Sequence, residues 1–127
     1  MCKNYLLIVL LLNGCMYLRP KQNGMSNLSQ TEWAQALTKQ PEAVILDVRT
    51  EEEFESGYIP NAKNIDLRMG PGFIDEINTL EKNKSYYVYC RSGARSAQAV
   101  QLMRDLGFNE TYNLLGGILD WEGEVVK

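Results

Sequence analysis

One segment of the chain concentrates groups that could do covalent chemistry: Cys90-Arg91-Ser92-Gly93-Ala94-Arg95-Ser96. A thiol becomes a nucleophile when it ionises, and nearby positive charge and N–H donors favour the thiolate. Arg91 and Arg95 supply permanent charge, since guanidinium stays protonated. Small residues let the backbone curl so that its N–H groups converge, and Gly93 opens conformations that other residues resist. Cys90 is therefore the candidate nucleophile, and Arg91 to Ser96 the candidate ring that binds substrate. A structural cysteine in a core would make a poor neighbour for two arginines and a glycine.

What the chain lacks narrows the chemistry. There is no histidine. That excludes a Cys-His or Ser-His pair and any zinc site with a histidine ligand. The 3 cysteines, Cys2, Cys15 and Cys90, are too far apart for a zinc knuckle or a Cys-x-x-Cys redox pair. No metal and no cofactor is expected. The ring would have to activate Cys90 without a separate base. The formal charge of −3 gives no electrostatic case for nucleic acid as a partner.

The ring needs a scaffold. Ser85-Tyr86-Tyr87-Val88-Tyr89 is aromatic and branched, which predicts a central strand ending at Cys90. A helix is expected from Ser96 to Leu106, with an apolar face of Ala99, Val100 and Met103 and with Gly107 as its C-cap. In open α/β sheets, sites gather at the carboxyl ends of strands, where helices begin. Upstream, Ser29-Gln30-Thr31-Glu32 and Thr50-Glu51-Glu52-Glu53 both fit the capping box. They predict a helix over 30–39 and a short acidic helix ending at Gly57. Between them, Ala43-Val44-Ile45-Leu46 is an apolar run that suits a strand buried on both faces. Further strands are expected at 64–67 and 112–114, with a helix over 73–80. A short helix carrying Trp121 should follow the Gly116-Gly117 turn. Alternating strands and helices favour an α/β domain built on a mainly parallel sheet.

The length of 127 residues suits one domain. Residues 1–18 differ from the rest. Lys3 precedes the apolar run Tyr5 to Leu12. That run is about half the ~20 residues that span a bilayer as a helix, so it suits the h-region of a signal peptide. Leu12-Asn13-Gly14-Cys15 resembles a bacterial lipobox, although Asn13 replaces the usual small residue. The resemblance implies a signal peptide over 1–14, lipid on Cys15, and export to the bacterial periplasm with a membrane anchor. Residues 15–28 are then a polar tether and 29–127 the domain. Once the segment before Cys15 is removed, Cys90 is the one free thiol.

Three blocks together resemble the rhodanese family. They are Leu46-Asp47-Val48-Arg49 with Glu53-Phe54, Gly57, Ile59-Pro60 and Ala62; Cys90 to Ser96; and Leu115-Gly116-Gly117 with Trp121. The resemblance runs from about Ser29 to Gly123. It implies a five-stranded parallel sheet with helices on both faces. It also implies sulfur transfer through a persulfide on Cys90, with a small anionic sulfur donor such as thiosulfate and a thiol or cyanide-like acceptor. Tyr58 and Asn61 depart from the histidine and glycine common in the family. Asp47 and Arg49 are expected to support the site from a strand end, through a contact between Arg49 and Glu53.

Two other functions stay open on the residues alone. A cysteine-based phosphatase or arsenate reductase would use a Cys-x5-Arg loop, one residue longer than Cys90-x4-Arg95. A tethered redox-sensing or sulfur-binding module would have Cys90 oxidised rather than turned over.

Overall fold

The computed structural model describes residues 26–127. The signal peptide, the lipobox with Cys15 and most of the proposed tether lie outside them. A five-stranded sheet runs through the middle, in the order β1-β5-β4-β2-β3. Its strands are β1 (Asn27–Leu28), β2 (Val44–Asp47), β3 (Lys63–Asn64), β4 (Ser85–Tyr89) and β5 (Glu110–Leu114), and every pairing is parallel. The helices are α1 (Gln30–Thr38), α2 (Glu51–Glu55), α3 (Pro71–Ile77), α4 (Ala94–Asp105) and α5 (Gly117–Asp120).

Side chains alternate across a strand, and β4 shows what that does here. Tyr86, Val88 and the following Cys90 enter one core with Phe73 and Ile77 of α3 and Ala99, Val100 and Met103 of α4. Tyr87 and Tyr89 enter the other, with Trp33 of α1 and, beside them, Ile118 of α5 and Trp121. Trp33 is fully buried and meets Tyr87, Tyr89 and Trp121 edge to face at 5.8, 6.2 and 5.5 Å. Helices therefore cover both faces of the sheet, as the alternation of elements predicts.

Both capping boxes form. Ser29 and Thr50 accept the N3 backbone N–H, and Glu32 and Glu53 reach back to the cap backbone. Several boundaries differ from the sequence reading. Asn27 and Leu28, placed in the tether, form an edge strand beside Asn113 and Leu114. The strand expected at 64–67 is only Lys63–Asn64, followed by a 3₁₀ turn at Leu67–Met69. Helix α3 starts at Pro71 rather than Phe73, because proline suits the first helical turn. Helix α4 starts at Ala94, two residues before the expected Ser96. Asn61 adopts φ +73, a left-handed conformation that asparagine tolerates and glycine adopts freely. That accounts for its standing where the family commonly has glycine. Tyr58 stacks on Phe54 at 4.2 Å.

Candidate active site

Strands β2 and β4 lie side by side, with Asp47 opposite Tyr89. Their carboxyl ends therefore share one edge of the domain. Cys90 follows β4 directly, and α4 begins four residues later. The N-cap of α4 is Gly93 at φ +108, which offers no side chain to satisfy the first N–H groups of the helix. Cys90 Sγ takes that place. It accepts from the N–H of Gly93 at 3.1 Å and the N–H of Ser96 at 3.3 Å, and Ser96 Oγ lies 3.3 Å away. Burial alone would push the Cys90 thiol up. The Ser96 hydroxyl and the N–H groups of Ser96, Gly93 and Ser92 outweigh it, and the thiol lies below the ordinary cysteine value.

The loop holds this shape because its carbonyls are engaged on the far side. Ile118 N–H donates to Cys90 O at 2.9 Å, and Leu119 N–H donates to Arg91 O at 3.0 Å. The Gly116-Gly117 turn lets α5 come this close. A Cβ on Gly117 would stand 2.3 Å from Arg91 O, and the residue has φ +62, so only glycine fits. With the carbonyls turned outward, the N–H groups face inward toward Sγ.

The two arginines do different things. Arg95 makes a two-point ion pair with Glu53 of α2, Nη1 to Oε1 at 2.8 Å and Nη2 to Oε2 at 3.0 Å. The Arg95 guanidinium, helped by Thr50, holds the Glu53 carboxyl at about 2. Arg95 is therefore tied to the scaffold of α2. Its charge still acts on Cys90. Arg91, Ser92 and Ala94 are exposed on the loop, Arg95 and Gly93 are half-buried, and Ser96 is buried.

Asp47 and Arg49 form a buried pair at the end of β2. Arg49 Nη2 lies 2.7 Å from Asp47 Oδ2, and Arg49 N–H donates to Asp47 Oδ1 at 2.8 Å. Arg49 Nη2 also donates to Gly57 O at 2.7 Å. The contact expected from Arg49 to Glu53 is not made. The nearer Asp47 takes the guanidinium, which leaves Glu53 for Arg95. Asn64 adds two bonds, to Asp47 O and Arg49 O.

One buried polar group near the thiol was not expected from the sequence. Asn113 of β5 lies beside Ser96, with its Oδ1 2.5 Å from Ser96 Oγ. A polar residue between Tyr112 and Leu114 in a strand was the available signal, since buried polar side chains must find partners. The Glu53–Arg95 link was not foreseen either. Its residues are far apart in sequence, and the Thr50 cap already explained Glu53.

Residues 30–124 match the family described as Rhodanese-like domain. The chain belongs to that family. Among the relatives of this rhodanese-like protein is a sulfurtransferase of Allochromatium vinosum, 32% identical over 76% of this chain and 88% of the relative. YqhL of Bacillus subtilis is 37% identical over 83% of this chain and 79% of the relative. The crystal structure of a rhodanese-like domain protein from Staphylococcus aureus matches with a TM-score of 0.67 at 37% identity, over 79% of this chain and 94% of that one. These likenesses bear out the rhodanese-like fold expected from the three sequence blocks.

Proposed function

We propose that this rhodanese-like protein is a sulfurtransferase that carries a sulfane sulfur on Cys90. The observation that supports this reading best is the convergence of donors on one atom, Cys90 Sγ. Such a ring stabilises an anionic sulfur in two states, the thiolate that attacks and the persulfide that results. The Cys90 thiolate attacks the outer sulfur of thiosulfate or a similar donor. A bond forms between Sγ and that sulfur, the donor S–S bond breaks, and sulfite leaves with the electron pair. A thiol or cyanide-like acceptor then attacks the outer sulfur, and the pair returns to Sγ as thiolate.

The surroundings fit the roles. Arg91 stands exposed at the loop and draws in an anionic donor, while Arg95 fixes the loop to α2 through Glu53. Asp47 and Arg49 hold the neighbouring strand end. The loop of Cys90-x4-Arg95 is one residue short of the phosphatase pattern, which favours a single bound sulfur over a tetrahedral oxyanion.

The deciding experiment is intact-mass measurement after thiosulfate treatment. We expect a gain of one sulfur on Cys90 that cyanide or a thiol removes. Oxygen adducts without sulfur would instead favour a redox-sensing module, and no adduct would overturn the reading. We also propose that the protein is exported and anchored through lipid on Cys15. Incorporation of a fatty-acid analogue by the wild type, lost in Cys15→Ala, is the expected result. Absence of label in the wild type would overturn the anchor.

A further inference from the structure

The hydroxyl of Ser96 has two claimants. Its Oγ lies 3.3 Å from Cys90 Sγ and 2.5 Å from Asn113 Oδ1. A serine hydroxyl has one proton to give. It can serve the sulfur or the amide, not both.

The orientation of the Asn113 amide decides which. Its Nδ2 donates to Asn27 Oδ1 at 2.9 Å and lies 3.4 Å from Gly93 O. Asn27 could turn its own amide to match either orientation. Gly93 O cannot, because a backbone carbonyl only accepts. Turning Asn113 over would set two oxygens against each other beside the active-site loop. The amide is therefore held with Nδ2 toward Gly93 and Oδ1 toward Ser96. Asn113 is 2% exposed and Ser96 fully buried, which limits water as a substitute partner.

We propose that Asn113 is a positioning residue that restrains Cys90 by claiming the only hydroxyl proton of Ser96. In the thiol form that proton lies on the Asn113 side and Ser96 Oγ turns a lone pair toward Sγ. This suits a neutral S–H, which can donate to it, and opposes an anionic sulfur, which needs a donor. The hydroxyl lowers the thiol by rotating to the sulfur, and Asn113 works against that rotation. When Cys90 gives its proton to solvent or forms a persulfide anion, the hydroxyl must rotate from Oδ1 to the sulfur. Asn113 thereby adjusts how readily Sγ becomes anionic. Asn27 lies on β1, so the far end of this chain of contacts is that strand.

The charged groups around Cys90 are separate from this device. Arg91 comes from the loop, and Arg95 of α4 is paired with Glu53 of α2 and feels Asp66. Asp47 and Arg49 at the end of β2 neutralise each other. The relay from β5 and β1 consists of the neutral Asn113 and Asn27. Changing Asn113 leaves each of those charges in place.

The proposal rests on Cys90 as the sulfur-carrying nucleophile, and its test reads ionisation rather than turnover. The pH dependence of iodoacetamide alkylation is followed at the Cys90 peptide by mass spectrometry, in the full chain. Asn113→Leu removes the competing acceptor and should lower the Cys90 pKa by about one unit, a tenfold gain in the thiolate-to-thiol ratio. Asn113→Val, a second variant that lacks the acceptor, should lower it likewise. In a Ser96→Ala background the Asn113→Leu shift should vanish, which a merely structural role would not produce. An unchanged or higher pKa in Asn113→Leu, or a shift that survives without Ser96, overturns the proposal. If Asn113→Leu does not fold, Asn113→Val decides in the same two backgrounds: a pKa lowered only where Ser96 is present supports the proposal and any other result overturns it. Failure of the wild type to gain sulfur from thiosulfate would overturn the sulfur-transfer reading and leave these ionisation results standing.

Discussion

Two neighbouring strands end at the same edge of the sheet and finish in opposite ways. At the end of β2, Asp47 meets a full cation. Arg49 supplies its backbone N–H, Nε and Nη2 to the carboxylate, and Gly57 O takes a further guanidinium proton. Charge is matched by charge, and the group is closed. At the end of β4, N–H groups converge on the sulfur of Cys90, and among the described residues no carboxylate or carbonyl is bonded to it. A neutral thiol uses those donors poorly, whereas an anionic sulfur uses them well. The same topology thus provides a locked corner and a poised one. The difference lies in whether the strand ends on a group that already carries its counter-charge.

The sharpest break of this contrast is to remove each end in turn. Cys90→Ser should abolish sulfur transfer altogether, because an alcohol forms no persulfide. Its melting temperature should stay close to that of the wild type, since serine nearly matches the shape. Turnover above background in a clean preparation would refute the role of Cys90. Arg49→Ala should do the reverse at the level of stability. It leaves Asp47 buried without its cation, which costs about 3–5 kcal/mol. Urea denaturation should show that loss, and a change under 1 kcal/mol, a bound set by ordinary surface substitutions, would mean the corner is not locked.

Smaller changes sharpen the contrast. Gly117→Ala places a methyl against Arg91 O and a non-glycine residue at φ +62. Strain of about 1–3 kcal/mol is expected, relieved by moving the loop. Persulfide formation should therefore fall more than stability does, as measured by intact mass alongside a melt. Arg91→Ala should weaken thiosulfate about two- to fivefold and leave a neutral donor little changed, in proportion to an exposed charge contact. Equal losses for both donors would make Arg91 structural.

The weakest effect concerns Glu53. Its carboxyl is held at about 2, against an ordinary 4.5, chiefly by Arg95. A depressed carboxyl contributes stability that is complete above 4.5 and is lost as the pH falls through the folded value. Solvent reaches the pair, so the contribution is at most about 1 kcal/mol. Wild type and Glu53→Gln should differ by that amount at neutral pH and converge towards pH 2. A gap that stays constant with pH would assign the effect to packing.

Much of this was legible along the chain because the signals are local. A capping box spans four residues, and both predicted boxes formed. The strand at β4 announced itself through Tyr86 to Tyr89, and the loop after it through Gly93 and its small neighbours. What failed were edges and partners. Strand β1 is two residues long and gains its identity only by pairing with β5, so its own sequence reads as tether. The partner of Arg49 was misplaced because Asp47 and Glu53 lie within a few residues on either side. Only the turn of the backbone after β2 brings one carboxylate into reach.

From its residues alone the chain specifies a thiol at a strand end, glycine and cations around it, and the period of the elements that carry it. Those follow from short-range sterics and hydrogen bonding, which each segment expresses wherever it sits. The tertiary structure alone decides that Arg95 belongs to Glu53, that α5 takes the loop carbonyls, and that Asn113 reaches Ser96. These contacts join residues up to 42 positions apart. Choosing among several donors and acceptors of the same kind requires the distances that packing of the sheet and its helices sets.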